Sequence, residues 1–186
     1  RTAGIGYATS RDGIRWKKYE RNPVLAGDPG SWERGDAYLP YVLTAGSFYR
    51  LWYSGGDVNR LRIGHARSRN GLEWRKDVGP VLRNGPSAWD SSGVGEASVS
   101  GPDGAGDFTM WFSGYDARWR SHIGYASAGN GTSWRKHEKP VLAPGPPGSW
   151  DDHRVQSPRV LRDGDRYEMW FGGNRGDYFA SQIGYA

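Results

Sequence analysis

The chain has 186 residues and a net charge of +5, and its arginines are scattered rather than run together, so no nucleic-acid partner is expected. Its 29 glycines and 11 prolines approach a low-complexity composition, but aromatic residues make up 14% of the chain, and rings that each bury about 150–250 Å² exclude a disordered one. No apolar run nears the roughly 20 residues of a membrane helix, the absence of cysteine excludes disulfides and thiolate metal sites, and nothing identifies a compartment.

In chain order, the first predicted element is a strand at Ile5-Gly6-Tyr7-Ala8. Asp12-Gly13 then marks a hairpin turn. The next strand carries Trp16 and Pro23-Val24-Leu25, with proline placed where an outer edge tolerates it. Residues 26–38 lead past Trp32-Glu33 to an inner strand beginning at Val42-Leu43, and Leu51-Trp52-Tyr53 forms its partner. The series then starts again: Ile63-Gly64-His65-Ala66, Asn70-Gly71, Trp74, Pro80-Val81-Leu82, Trp89-Asp90, Val99 and Met110-Trp111-Phe112. A third round runs from Ile123-Gly124-Tyr125-Ala126 through Asn130-Gly131, Trp134, Pro140-Val141-Leu142, Trp150-Asp151 and Val160 to Met169-Trp170-Phe171. Ile183-Gly184-Tyr185-Ala186 opens a fourth.

No helical periodicity of useful length interrupts this pattern. Four short strands repeating every ~60 residues indicate an all-β fold, a β-propeller with blades of four antiparallel strands. The repeat units are 5–62, 63–122 and 123–182, with the start of a further unit at 183–186, within one partial domain over 1–186. That length supplies about three blades, an open arc rather than a complete five-bladed ring. The remaining blades are expected from a longer chain or from a homo-oligomeric partner.

The segments Ser10-Arg11-Asp12-Gly13-Ile14-Arg15-Trp16, Asn22-Pro23-Val24-Leu25, Gly148-Ser149-Trp150-Asp151 and Tyr167-Glu168-Met169-Trp170-Phe171-Gly172-Gly173 carry a resemblance. They resemble blades of the five-bladed propeller glycosidases, the arabinanase, levansucrase and invertase superfamily (glycoside hydrolase family 43 and 32 blades). That resemblance implies a carbohydrate-active propeller, part of a glycoside hydrolase or a related glycosyl-transferring enzyme with carboxylate acid/base chemistry. It also implies an oligo- or polysaccharide partner, no cofactor, and acids supplied by inner strands of different blades. The alternative is a non-catalytic carbohydrate-binding or protein-interaction propeller, because the same blades recur with many activities.

Residues that recur in every unit read as structural: Asp12, Asn70 and Asn130 in turns, Trp16, Trp74 and Trp134 between blades, and the acids Glu33, Asp90 and Asp151. The variable loops at 26–38, 55–61, 83–96, 114–121, 143–156 and 173–181 share one end of the propeller, where function is expected. Alignment on the tryptophans places Leu39, Glu96 and Ser157 in one column, and Asp36, Gly93 and Arg154 in another. Glu96, flanked by Val94, Ala97 and Val99, is the candidate general acid, and Asp36 the candidate base or nucleophile. Each acid would otherwise satisfy nearby backbone N–H groups. Their strand parity differs, so they converge only if a bulge intervenes. Arg154 and His153 are candidates for binding substrate, Arg154 otherwise pairing with Asp151 or Asp152. Tyr38, Tyr115, Trp119 and Tyr178 would stack on sugar faces or pack their loops. The four histidines show no metal-ligand spacing, so no metal is expected.

Overall fold

The computed structural model describes residues 2–57, 60–176 and 181–186. It is built from antiparallel blades, as the repeat requires. Two short ladders come first: β1 (Gly4–Ile5) pairs with β4 (Leu25–Ala26), and β2 (Ala8–Thr9) pairs with β3 (Lys17–Lys18). Blade 1 follows as β5 (Tyr38–Ala45), β6 (Phe48–Gly55), β7 (Arg62–Ser68) and β8 (Arg75–Lys76), hydrogen-bonded in that order. Blade 2 repeats it with β9 (Gly93–Ser100), β10 (Phe108–Tyr115), β11 (Ser121–Ala128) and β12 (Arg135–Lys136). Blade 3 contains β13 (Arg154–Asp163), β14 (Arg166–Asn174) and β15 (Gln182–Tyr185). Neighbouring blades touch where a third strand begins: Leu61 bridges Gly93, and Ser121 bridges Arg154, both in parallel sense.

The repeated residues explain the blade. A Cβ on Gly64 would lie 2.4 Å from the Tyr53 ring, and one on Gly124 would lie 2.5 Å from both Phe112 and Trp89. Glycine in the Ile-Gly motif is therefore the seat of an aromatic from the second strand. Over that aromatic lies the loop tryptophan: Trp32 on Tyr53, Trp89 on Phe112 and Trp150 on Phe171, with ring centroids 6.0, 5.9 and 5.7 Å apart. At the opposite end Asp12, Asn70 and Asn130 each accept two backbone N–H bonds through Oδ1 at 2.8–3.0 Å, the turn-capping role expected.

The recurring acids are anchors as well. Glu33 is buried and accepts from Lys76 Nζ at 2.6 Å, from Asp28 N at 2.7 Å and from the Tyr53 hydroxyl. Burial opposes its charge, but these donors outweigh it and hold the carboxyl below the usual carboxylate range. Asp90, also buried, takes Lys136 in the same way.

Apolar clusters fill the spaces between blades. Between blades 1 and 2 lie Trp52, Ile63, Val94, Phe108, Met110 and Phe112. Trp52 also donates through Nε1 to Gly131 O at 3.0 Å. Its equivalents show how cover changes along the arc: Trp52 is 0% exposed, Trp111 6% and Trp170 36%. Trp74 and Trp134 pack against these clusters as expected, whereas Trp16 is 62% exposed.

Candidate active-site cleft

Each inner strand contains the same backbone irregularity. Leu39, Glu96 and Ser157 adopt left-handed φ values of 50, 56 and 55°. The ladder slips there: Leu39-Pro40 lies opposite Tyr53, Glu96-Ala97 opposite Phe112, and Ser157-Pro158 opposite Phe171. Two residues facing one is a β-bulge. A left-handed non-glycine residue costs of order 1–3 kcal/mol and persists where its surroundings enforce it. In blades 2 and 3 a serine of the preceding blade contributes. Ser54 Oγ accepts from Glu96 N at 3.0 Å, and Ser113 Oγ accepts from Ser157 N at 2.9 Å.

The bulges bring five of the residues singled out in the sequence into one cleft of about 440 Å³. Its lining is Tyr38, Leu39, Leu61, Glu96, Tyr115, Trp119, Arg154 and Gln156. Among the described residues that line it, Glu96 is the one carboxylate. Glu96 Oε2 accepts from Ser113 Oγ at 2.6 Å, from Ser157 N at 2.8 Å and from Ser157 Oγ at 2.9 Å. A backbone N–H can only donate, so Oε2 must be an acceptor in every state. The donors on Oε2 therefore favour Oε1 as the seat of a carboxyl proton.

These surroundings differ from the apolar ones expected. Val94, Ala97 and Val99 belong to the core between blades 1 and 2, while the carboxylate of Glu96 meets serine hydroxyls. Ser113 was not singled out in the sequence, and Ser157 entered only as the residue aligned with Glu96. The signal for Ser113 is a Ser-Gly pair following the second-strand aromatics at Ser54-Gly55 and Ser113-Gly114.

The tyrosines register the charge nearby. Burial, then Asp36 and Glu96, push the Tyr38 phenol up to about 12. Burial, then Glu96, push Tyr115 well above its ordinary value, and Arg154 partly opposes this. Tyr115 and Trp119 form a tilted ring pair with centroids 5.3 Å apart. Arg154 is buried at the start of β13.

Two singled-out residues, Asp36 and His153, are not in the cleft. Asp36 Oδ1 accepts from Ala3 N at 2.8 Å, tying the first ladder to blade 1. His153 donates its backbone N–H to Asn174 O at 3.2 Å and lies against Gly176. Tyr178 falls outside the described residues. Asp116 is consumed by its own turn, accepting from Arg118 N, Arg120 N and Arg120 Nε at 2.8–3.0 Å. Among the described residues no group of three or more His, Asp or Glu is placed to hold a metal ion.

The geometry can be set beside known proteins. No family model matches the chain. Two curated relatives, the uncharacterized proteins Rv1502 and MT1551 of Mycobacterium tuberculosis, are each 34% identical over 125 residues, which is 66% of this chain. The chain spans 39% of the length of these relatives. A β-1,2-mannobiose phosphorylase from Listeria innocua superposes on all of the chain with a TM-score of 0.79, at 16% identity over 49% of its own length. The chain shares its fold with this phosphorylase. A structure from family 130 of mannoside phosphorylases, which contains glycoside hydrolases that target β-1,2-mannosidic linkages, gives 0.78 at 22% identity, covering all of this chain and 58% of the other. A putative glycoside hydrolase from Parabacteroides distasonis gives 0.74 at 18% identity, covering all of this chain and 60% of the other. At such identities the likeness is one of fold. These structures carry different names from the arabinanase, levansucrase and invertase group that the sequence resembles.

Proposed function

We propose that this chain is the part of a carbohydrate-active propeller that acts on a glycosidic bond, with Glu96 as its proton-transferring group. The observation that carries this reading is the three-donor clamp on Glu96 Oε2, which fixes the carboxyl in the cleft beside Tyr115. Glu96 Oε1 gives its proton to the glycosidic oxygen as the bond from the anomeric carbon to that oxygen breaks. The leaving sugar departs as a neutral alcohol, and a phosphate oxygen, or a water that gives up a proton to solvent, takes its place on the anomeric carbon; a proton from solvent then restores the acid form of Glu96. Tyr115 and Trp119 supply a face for the sugar ring, and Arg154 and Gln156 supply hydrogen bonds to its hydroxyls.

A second reading rests on one fact. Glycoside cleavage ordinarily uses two flanking carboxylates, and the described lining of the cleft holds one. A non-catalytic carbohydrate-binding propeller would need no more. Incubation with β-1,2-mannobiose and a panel of other disaccharides, with and without inorganic phosphate, separates the two. Turnover that falls at least about 100-fold in Glu96→Gln supports the catalytic reading. Turnover equal in both proteins overturns the role of Glu96, and binding without any turnover favours the second reading.

A further inference from the structure

Blade 1 carries a feature that its fold does not require. The antiparallel bridge between Ile63 and Leu82 places Arg62 directly across from Arg83. Two like charges so placed repel each other. Blade 2 has the same bridge, Ile123 to Leu142, which sets His122 across from Ala143. The ladder thus forms without the arginine pair. Two further arginines crowd the same end. Arg34, held at a left-handed φ of 52°, reaches Asp57 at 3.3 Å, and Arg60 N donates to Asp57 O at 2.9 Å. Gly56 N donates to Glu33 O, so the segments carrying Arg34 and Asp57 lie side by side.

Among the described groups whose charges act most on Arg62, three are arginines, Arg83, Arg60 and Arg34, and one is a carboxylate, Asp57. Arg62 Nε is buried and has no hydrogen-bond partner among the described residues. Leu61, between Arg60 and Arg62, lines the cleft that holds Glu96. Arg60 and Arg62 thus flank, in sequence, a residue of the cleft's blade 1 wall, while none of the four arginines is itself part of its described lining. Guanidinium forks match planar oxyanions in shape and charge.

We propose that Arg34, Arg60, Arg62 and Arg83 form an anion subsite that holds the carboxylate of an acidic sugar while a neighbouring sugar occupies the cleft. The inference rests on the glycan-binding reading above and narrows its substrate class to glycans containing uronic acid. Burial, then the charges of Arg83 and Arg60, hold Arg62 below its ordinary pKa, in keeping with a site short of negative charge.

Calorimetric titration with a galacturonate hexasaccharide, and with the same hexasaccharide reduced at its carboxyl groups, tests it. The acidic form is expected to bind at least about tenfold tighter at low salt, a margin that shrinks as salt screens the charges. Arg62→Gln combined with Arg83→Gln should erase that margin and leave the reduced form's affinity unchanged. Exposed Arg60→Gln, expected to shrink the margin, serves as the second variant should the pair fail to fold. Equal affinity for the two hexasaccharides, a margin that survives the variants, or binding of neither overturns the subsite. So does inorganic sulfate binding as tightly as the acidic hexasaccharide, which would mark a site for free anions. Equal binding of both hexasaccharides leaves the proposed function standing. An intact acid preference without turnover of any glycan overturns the catalytic reading and leaves the subsite standing.

Discussion

The middle blade and its two neighbours build the same bulge and use it differently. Leu39, Glu96 and Ser157 share a left-handed backbone near the same φ, so the inner-strand geometry belongs to the blade and not to any one side chain. Only blade 2 places a carboxylate there. Blade 1 places a leucine that is exposed, and blade 3 places a serine whose N–H and hydroxyl both turn to Glu96. The scaffold thus supplies a repeated position, and chemistry enters by substitution at one copy of it. The same contrast applies at the third strands, where Arg62 in blade 1 replaces the His122 of blade 2.

The largest effect that tests this division lies in the repeated anchors. Lys136→Met leaves Asp90 buried without its cation, which should cost about 3–5 kcal/mol by urea unfolding. Lys76→Met should act similarly through Glu33. A loss below about 1 kcal/mol in either would show that the anchors are not what holds the blades.

Acid comes next. His65 stands where the other units have tyrosine; it is fully buried, with Nδ1 3.0 Å from Asp77 and Nε2 3.2 Å from Arg50 Nε. Burial pulls its pKa down to about 4, Asp77 opposes this, and Arg50 adds to it. The folded protein therefore prefers the neutral ring. Its contribution to stability is complete above the unfolded value of about 6.5 and is lost as pH falls through about 4. Melting temperature should fall across that window, and His65→Tyr should remove that part of the fall. An unchanged pH profile in the variant would contradict the assignment.

Gly124→Ala should destabilise by about 1–3 kcal/mol, since its Cβ would meet Phe112 and Trp89 at 2.5 Å. Gly104→Ala meets nothing within 4 Å and should be neutral. Leu39→Gly should also change little. It relieves a left-handed leucine but adds chain entropy to the unfolded state, leaving a net change within about 1 kcal/mol.

These contrasts show what the sequence made legible. Residues that recur at fixed spacing announced themselves, so the strands, the turn caps at Asp12, Asn70 and Asn130, and the anchoring acids were readable from the repeat. Glu96 stood out because it breaks that repeat; the mismatch in strand parity allowed it to meet Asp36 only through a bulge, and the bulge that is present does not bring Asp36 into the cleft. What stayed hidden depends on partners distant in the chain. Ser113 and Ser157 reach Glu96 across 17 and 61 residues of chain. Asp36 meets Ala3 across 33 residues, which parity alone did not reveal. The four arginines lie at scattered positions between 34 and 83, and only the bridge of Ile63 to Leu82 places two of them face to face.

The central claim is that the carboxylate on the middle bulge faces the bond to be broken. A crystal structure of Glu96→Gln, inactive and so able to retain a glycan, tests this directly. The account expects a sugar ring against Tyr115 and Trp119, with the glycosidic oxygen within about 3.2 Å of the side chain at position 96. A glycan bound elsewhere on the propeller, or seated in the cleft with that oxygen far from position 96, would contradict it.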